Sequence, residues 1–256
     1  SLAVSFHADG VISQFDGYED LIEFDWPHYR AKYGNIGRLD LILEAENDAT
    51  NRYKLAKQAD ALMLIYLLGP AGLISQLNRL GYPFTEADLK RTVDYYLART
   101  SEGSTLSRVV HASVVCRFDE SRAWTLFREA LVADLDDTQG GTTREGIHLG
   151  AMAGTIDIIV RSFAGLRTEA SALTFAPRLP AHLGVAKFQI HYRGHLIDVA
   201  LSAERLAIQL QPSTASPIRV GVADKLVTIA GGDREEFSLV ESAGKRPLNS
   251  AFQETR

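Results

Sequence analysis

Apolar residues recur at helical spacing up to Phe163 and at every second position from Leu173 onward, so the pattern predicts a helical portion followed by a β portion. "GRLDLILEAEN" and "YKLAKQADALMLIYLLG" carry the first helical stripes, the second through Leu55, Ala59, Leu62, Met63 and Tyr66. "PFTEADLKRTVDYYLART" opens with Thr85 as an N-cap and Asp88 three residues on, the spacing of a capping box. "DESRAWTLFREALVADL" predicts an amphipathic helix with Trp124, Phe127, Leu131 and Leu135 on one side. "TREGIHLGAMAGTIDIIVRSF" is small and apolar throughout, which predicts a deeply buried helix.

"KFQIHYRGHLIDVALS" alternates through Phe188, Ile190 and Tyr192, then Ile197, Val199 and Leu201, around Arg193-Gly194, a hairpin signature. "RLAIQLQ", "IRVGV" and "KLVTIA" continue as short strands at hairpin spacing, as in a small β-sandwich. "FAPRLPAHLG", with Pro177 and Pro180, reads as a linker between the halves. The expected division is a helical part over residues 1–168, a β-sandwich over 169–232 and a flexible tail over 233–256.

Composition narrows the class. A chain of 256 residues with 46% hydrophobic and 23% charged residues can bury a sizeable core, and its net charge of −5 lacks the basic excess of nucleic-acid binders. The longest apolar run, Ala61 to Gly69, is too short to span a bilayer, and the N-terminus has no signal-peptide pattern. Cys116, the one cysteine, excludes an intramolecular disulfide. These features fit a cytoplasmic protein with neither membrane nor nucleic acid among its partners.

Candidate chemistry is concentrated in four places. "RTSEGSTLSRVVHASV" crowds Thr100, Ser101, Gly103, Ser104, Thr105 and Ser107 in front of an apolar helical run. One hydroxyl suffices for a cap; this many make either a redundant cap or an anion cradle, with Gly103 free to turn backbone N–H groups inward. Lys57 and Gln58 lie at the edge of a strongly apolar stretch, placed to reach sugar hydroxyls or simply to extend into solvent. His148 lies among Gly and Ala and needs a partner, either as an anion ligand or as a satisfied core residue. The opening "HADGVISQFDGYEDL" mixes His7, Asp9, Gln14, Phe15 and Asp16 in a loop of a kind that lines sugar sites or makes ordinary turns, and the acidic "DLDDTQGGTTREG" reads as a solvated loop after a helix rather than as a cation site. No zinc spacing, Walker loop, GxSxG or dinucleotide fingerprint is present.

Taken together, "DGVISQFDGYEDL", "YKLAKQADALMLIYLL", "RTSEGSTLSRVVHASV", "ADLDDTQGGTTREGIHLGAMAGTIDIIVRSFAGLR" and "LTFAPRLPAHLGVAKFQIHYRG" resemble consecutive blocks of glycoside hydrolase family 65, from about Asp9 to about Val222. The resemblance implies part of an (α/α)6 barrel followed by a small β-sandwich. It also implies an inverting phosphorylase that uses inorganic phosphate, with no metal or other cofactor, to cleave an α-linked glucose disaccharide into β-glucose 1-phosphate and glucose. Its motifs match Ser104, Thr105 and His148 as phosphate ligands and Lys57 and Gln58 as residues holding the glucosyl unit. Many members have two serines where this chain has Ser104-Thr105, and His-Asp where it has Glu102-Gly103. The family's general-acid glutamate is expected upstream of this chain, so the chain alone is expected to lack a catalytic carboxylate and to be inactive. It is also expected to self-associate or to need its N-terminal complement. The alternatives are a hydrolase of the same family, with Glu102 activating water, and a non-catalytic sugar-binding remnant.

Overall fold

The computed structural model describes residues 3–101, 103–138, 141–169 and 171–240. The chain divides into two compact units, Ser1–Thr155 and Ile156–Arg256. It is mainly α-helical, with a C-terminal β part, as the periodicity predicts.

In the first unit, α1 (Trp26–Tyr33) and α2 (Leu39–Ala45) follow an irregular opening segment, and α3 (Asp60–Leu68), α4 (Pro70–Arg79), α5 (Glu86–Ala98), α6 (Thr105–Val115), α7 (Glu120–Leu131) and α8 (Leu149–Asp157) follow in turn. α6 packs chiefly on α7 and on α3, and α3 also packs on α4 and α5. Leu62 and Ile65 of α3, Leu89, Val93 and Tyr96 of α5, Val109 and Val110 of α6 and Phe127 of α7 are buried. A second cluster joins Phe24, Ile36, Leu39, Leu43 and Leu55. Among the described residues no single helix is long and apolar enough to cross a membrane, and α3 and α4, which together are, meet at a 99° bend. The bend is built from Gly69, at φ 72°, and Pro70 at the first position of α4.

The Thr85–Asp88 capping box forms as the spacing predicts. Three helices depart from the expectation. α3 begins only at Asp60, so Lys57 and Gln58 lie ahead of the helix and not on it. α7 buries Ala123, Leu126, Phe127 and Ala130, while Leu131 is exposed and Leu135 lies past the helix end, 84% exposed. α8 is not buried on all sides: Ala151 and Gly154 face inward, but Leu149 and Ile156 are exposed, and the chain continues into a π-helical turn over Ile158–Phe163.

The second unit holds two four-stranded sheets. One has the order β1 (Arg167–Glu169), β2 (Ala172–Phe175), β6 (Ile218–Val222), β7 (Lys225–Ile229), with β2 and β6 parallel. The other runs β3 (Val185–Tyr192), β4 (His195–Ser202), β5 (Arg205–Leu210), β8 (Arg234–Ser238), all antiparallel. Leu173, Phe175 and Val220 from the first sheet share one core with Val199, Leu206, Ile208 and Phe237 from the second, which makes the unit a β-sandwich. Arg193 (φ 48°) and Gly194 (φ 82°) close the β3–β4 hairpin with both central residues left-handed, as a two-residue turn of this hand requires. Two expectations need correction. "FAPRLPAHLG" does not link helical and β parts, because β1 and β2 precede it; it carries the chain from one sheet to the other. The tail expected from residue 233 instead contributes β8, which pairs with β5 and buries Phe237. The remainder of that expected tail, residues 241–256, lies outside the described residues.

Candidate functional site

A short parallel pairing brings two of the predicted segments together. Ala56 N–H donates to Arg99 O at 2.8 Å, Ser101 N–H to Ala56 O at 2.9 Å and Gly103 N–H to Lys57 O at 3.1 Å. Lys57 therefore lies beside the hydroxyl-rich entry to α6. Gly103 has a different role from the one its flexibility suggests: its N–H is spent on Lys57, and a Cβ there would lie 2.4 Å from Gly37 O and 3.1 Å from Lys57 Cγ. Close approach, not a turned backbone, requires glycine at this position.

Ser104 is the N-cap of α6 and accepts from Leu106 N–H at 3.3 Å. Thr105, the first helical residue, is 5% exposed. Ser101 and Ser107 carry buried hydroxyls with no hydrogen-bond partner among the described residues. Arg108, one turn into the helix, donates to Glu129 at 3.3 Å. Glu102, the hydrolase candidate, lies outside the described residues.

Lys57 Nζ donates to Asp40 Oδ2 at 2.8 Å, and Arg38 Nε lies 3.3 Å from Asp40 Oδ1. Burial alone would raise the Asp40 carboxyl, but these two cations outweigh it and hold it down at about 2. The pair stands at a cleft of about 180 Å³ whose walls include Gln14, Phe15, Tyr18, Asn51 and Tyr53. Gln14 and Phe15 of the opening loop thus reach the same cleft as Lys57, whereas Gln58 is exposed and does not line it.

His148 stands directly ahead of α8. Asp134, on the loop after α7, takes both its Nδ1–H at 2.5 Å and its backbone N–H at 2.9 Å. The hydrogen bond from His148 lowers the Asp134 carboxyl below its usual range. Thr142 Oγ1 lies 3.5 Å from Nε2, the nitrogen left for other partners. Asp137 accepts from Thr143 N–H at 3.3 Å, so the acidic segment expected to be solvated is partly a scaffold for this histidine. Asp134 and Asp40 are the residues that the sequence reading missed. The signal for Asp134 was a carboxylate run followed by a histidine that needed a partner; Asp40 had no comparable signal.

Among the described residues no hydrogen bond joins His148 to Ser104 or Thr105, and no group of three or more metal-ligating side chains is found. The helices carrying them do touch: at Gly154 of α8 a Cβ would lie 2.6 Å from Val109 Cγ1 of α6.

The profile of the glycosyl hydrolase family 65 central catalytic domain matches residues 1–157, and that of the family's C-terminal domain matches residues 166–229. An uncharacterized glycosyl hydrolase of Mycobacterium tuberculosis is 52% identical over 217 residues, covering 85% of this chain and 16% of that protein. Trehalose 6-phosphate phosphorylase of Lactococcus lactis is 36% identical over 241 residues, covering 93% of this chain and 31% of its own. A solved structure from the human microbiome, assigned as a kojibiose phosphorylase, superposes with a TM-score of 0.72 at 23% identity and covers 92% of this chain and 32% of that one. This last likeness concerns the fold. The chain spans less than a third of the length of each of these relatives.

Proposed function

Because the chain belongs to glycosyl hydrolase family 65, we propose that it is a portion of an inverting α-glucoside phosphorylase, its helices forming part of an (α/α)6 barrel. The reaction assigned to it transfers the glucosyl unit of an α-linked disaccharide to inorganic phosphate, giving β-glucose 1-phosphate and glucose. Its relatives include phosphorylases named for trehalose, maltose, kojibiose and trehalose 6-phosphate.

The observation that carries the reading is the entry to α6. Ser104 Oγ accepts from Leu106 N–H, so its own proton is left to donate outward. Thr105 adds a second hydroxyl at the positive end of the helix dipole, where an anion is favoured. His148, its Nδ1 side held by Asp134, turns Nε2 toward the same phosphate. Lys57 and Gln58 take the glucosyl hydroxyls, and the ladder from Ala56 to Gly103 fixes Lys57 beside the hydroxyls. Phosphate then attacks C1 from the face opposite the leaving oxygen, which inverts the anomeric centre and removes the need for a second carboxylate to activate water. A general acid must still protonate the leaving oxygen, a contribution of ~10²–10⁴-fold; the reading assigns that role to no residue of this chain. Inorganic phosphate is the co-substrate, and no metal or other cofactor takes part.

Titration of the chain with inorganic phosphate, followed by ³¹P NMR, tests the anion site. Binding that weakens in Ser104→Ala and in His148→Gln supports it, and no binding by the wild type overturns it. Incubation with trehalose, maltose, kojibiose and trehalose 6-phosphate, with and without phosphate, tests the reaction. Phosphate-dependent glucose 1-phosphate supports phosphorolysis, whereas glucose released without phosphate identifies a hydrolase.

A further inference from the structure

The opening loop carries the Asp-Gly dipeptide twice, at Asp9-Gly10 and at Asp16-Gly17, and the proposed reaction uses neither. In such a pair glycine has no side chain to shield its backbone nitrogen from the neighbouring carboxyl, and it accepts either sign of φ, so the peptide plane between the two residues can turn. The fold treats the two copies differently.

The Asp9–Gly10 plane is pinned at both ends. Gly10 N–H donates to His7 O at 3.0 Å, and Asp9 O accepts from Arg91 Nε at 2.9 Å. The Asp9 carboxyl is held as well, Oδ1 accepting from Val11 N–H at 3.2 Å. Gly10 is closely packed: a Cβ there would lie 2.8 Å from Asp88 Oδ1 and 3.3 Å from Arg91 Nη2. At the second copy Asp16 and Gly17 are both exposed, and a Cβ on Gly17 would meet only Asp20 Oδ2, at 3.7 Å. Among the described residues Gly17 N–H, Asp16 O and the Asp16 carboxyl make no hydrogen bond. One bond, Tyr18 N–H to Phe15 O at 3.3 Å, closes the turn around the pair without engaging the plane between them. Gly17 stands at φ 82°. Turns with either sign of φ at that position keep the same closing bond, so the plane can flip and carry the Gly17 nitrogen past the Asp16 side chain.

We propose that Asp16–Gly17 is a self-modification site at which the chain rearranges to an isoaspartyl linkage, and that its hydrogen bonds protect Asp9–Gly10 from the same fate. The Gly17 nitrogen attacks Asp16 Cγ and a C–N bond forms, while the proton of that nitrogen and the hydroxyl of the protonated carboxyl leave as water. The product is a five-membered succinimide. Water then opens the ring at either carbonyl. Opening at Cγ restores aspartate. Opening at the main-chain carbonyl of Asp16 breaks its bond to the Gly17 nitrogen, so the chain runs through Cγ and the former main-chain carbonyl becomes a free carboxylate. One water leaves and one returns, and no other reactant is needed. The backbone gains one methylene between Phe15 and Tyr18, both of which line the cleft beside Lys57, so the rearrangement alters the wall of that cleft.

The experiment ages the 256-residue chain in neutral buffer and maps its peptides by electron-transfer fragmentation, which separates isoaspartyl from aspartyl linkages position by position. Each hydrogen bond that must open before attack slows it about two- to tenfold, so the three bonds at Asp9–Gly10 leave isoaspartate accumulating about tenfold or more faster at residue 16 than at residue 9. In urea strong enough to unfold the chain, the two rates converge. Arg91→Met frees one end of the pinned plane and raises conversion at Asp9 about two- to tenfold, with Asp16 unchanged. No isoaspartate at residue 16, equal rates at the two positions in the folded chain, or a difference that persists in urea would overturn the proposal. An Arg91→Met chain whose Asp9 converts no faster overturns the protection assigned to the hydrogen bonds.

Discussion

The two units treat buried polar groups in opposite ways. In the β unit, among the described residues, His195 is the one buried polar side chain, and both its nitrogens are bonded, Nδ1 to Ser213 Oγ at 2.8 Å and Nε2 to Ser216 O at 2.9 Å. The helical unit buries His7, Thr92, Thr100, Ser101, Thr105 and Ser107, and Tyr18 OH, Ser101 Oγ and Ser107 Oγ have no hydrogen-bond partner among the described residues. A fully satisfied apolar core is what stability alone selects. Among the described residues every buried side-chain polar atom without a partner falls in the helical unit, some near the cleft and the α6 entry and others, such as Trp26 Nε1 and Thr138 Oγ1, at neither.

Substitutions at four positions break or sharpen this contrast, beginning with the largest effect. Ile208→Ala, at a fully buried position of β5, removes core volume and lowers unfolding stability by about 2–5 kcal/mol in urea denaturation, while phosphate and glucose titrations of the folded protein stay unchanged. A loss of ligand binding there would end the division of labour between the units. Gly103→Ala forces a Cβ against Gly37 O and costs about 1–3 kcal/mol. Because it pries Lys57 from the α6 entry, it weakens phosphate and glucose binding together, an outcome that paired titrations read directly.

Ser104→Ala loses the α6 cap, at about 0.5–2 kcal/mol, and the phosphate donor as well. Ser104→Thr restores stability and binding together, since threonine keeps the hydroxyl. A threonine variant as stable as wild type but blind to phosphate would separate cap from site. The smallest effect belongs to Asp40→Asn. The folded Asp40 carboxyl is held at about 2 against an ordinary 3.8, so its pairing with Lys57 and Arg38 stabilises the fold above pH 3.8 and is lost as pH falls toward 2. The variant therefore loses less stability than wild type across that window in acid unfolding. The difference is small, because Lys57 and Asp40 are both partly exposed and solvent screens the pair.

Much of the architecture is local and was therefore legible. The Thr85–Asp88 box, the Arg193-Gly194 turn and the two-residue period of β3 to β5 depend on residues within one turn of helix or one hairpin. What failed was what local pattern does not encode. The buried face of α7 was read one position off, because Ala123 and Ala130 pack inward and alanine contributes little to an apolar stripe. Strand β8 was read as tail because "REEFS" buries one residue, Phe237, and owes its order to pairing with β5.

The candidate site divides along the same line. By itself the sequence determined the hydroxyl-rich start of α6, the need of His148 for a partner and the chemistry on offer at Lys57, since residue type and helix capping are properties of a short stretch. Tertiary structure alone decided that Asp134 is the partner of His148 from 14 residues away and that Asp40 is the partner of Lys57 from 17. It also brought Gln14 and Tyr18 into the lining of one cleft with Asn51 and Tyr53. Hydrogen bonds and ion pairs act over a few ångströms of space without regard to separation along the chain, so a side chain's partner is fixed only when packing has brought distant segments together.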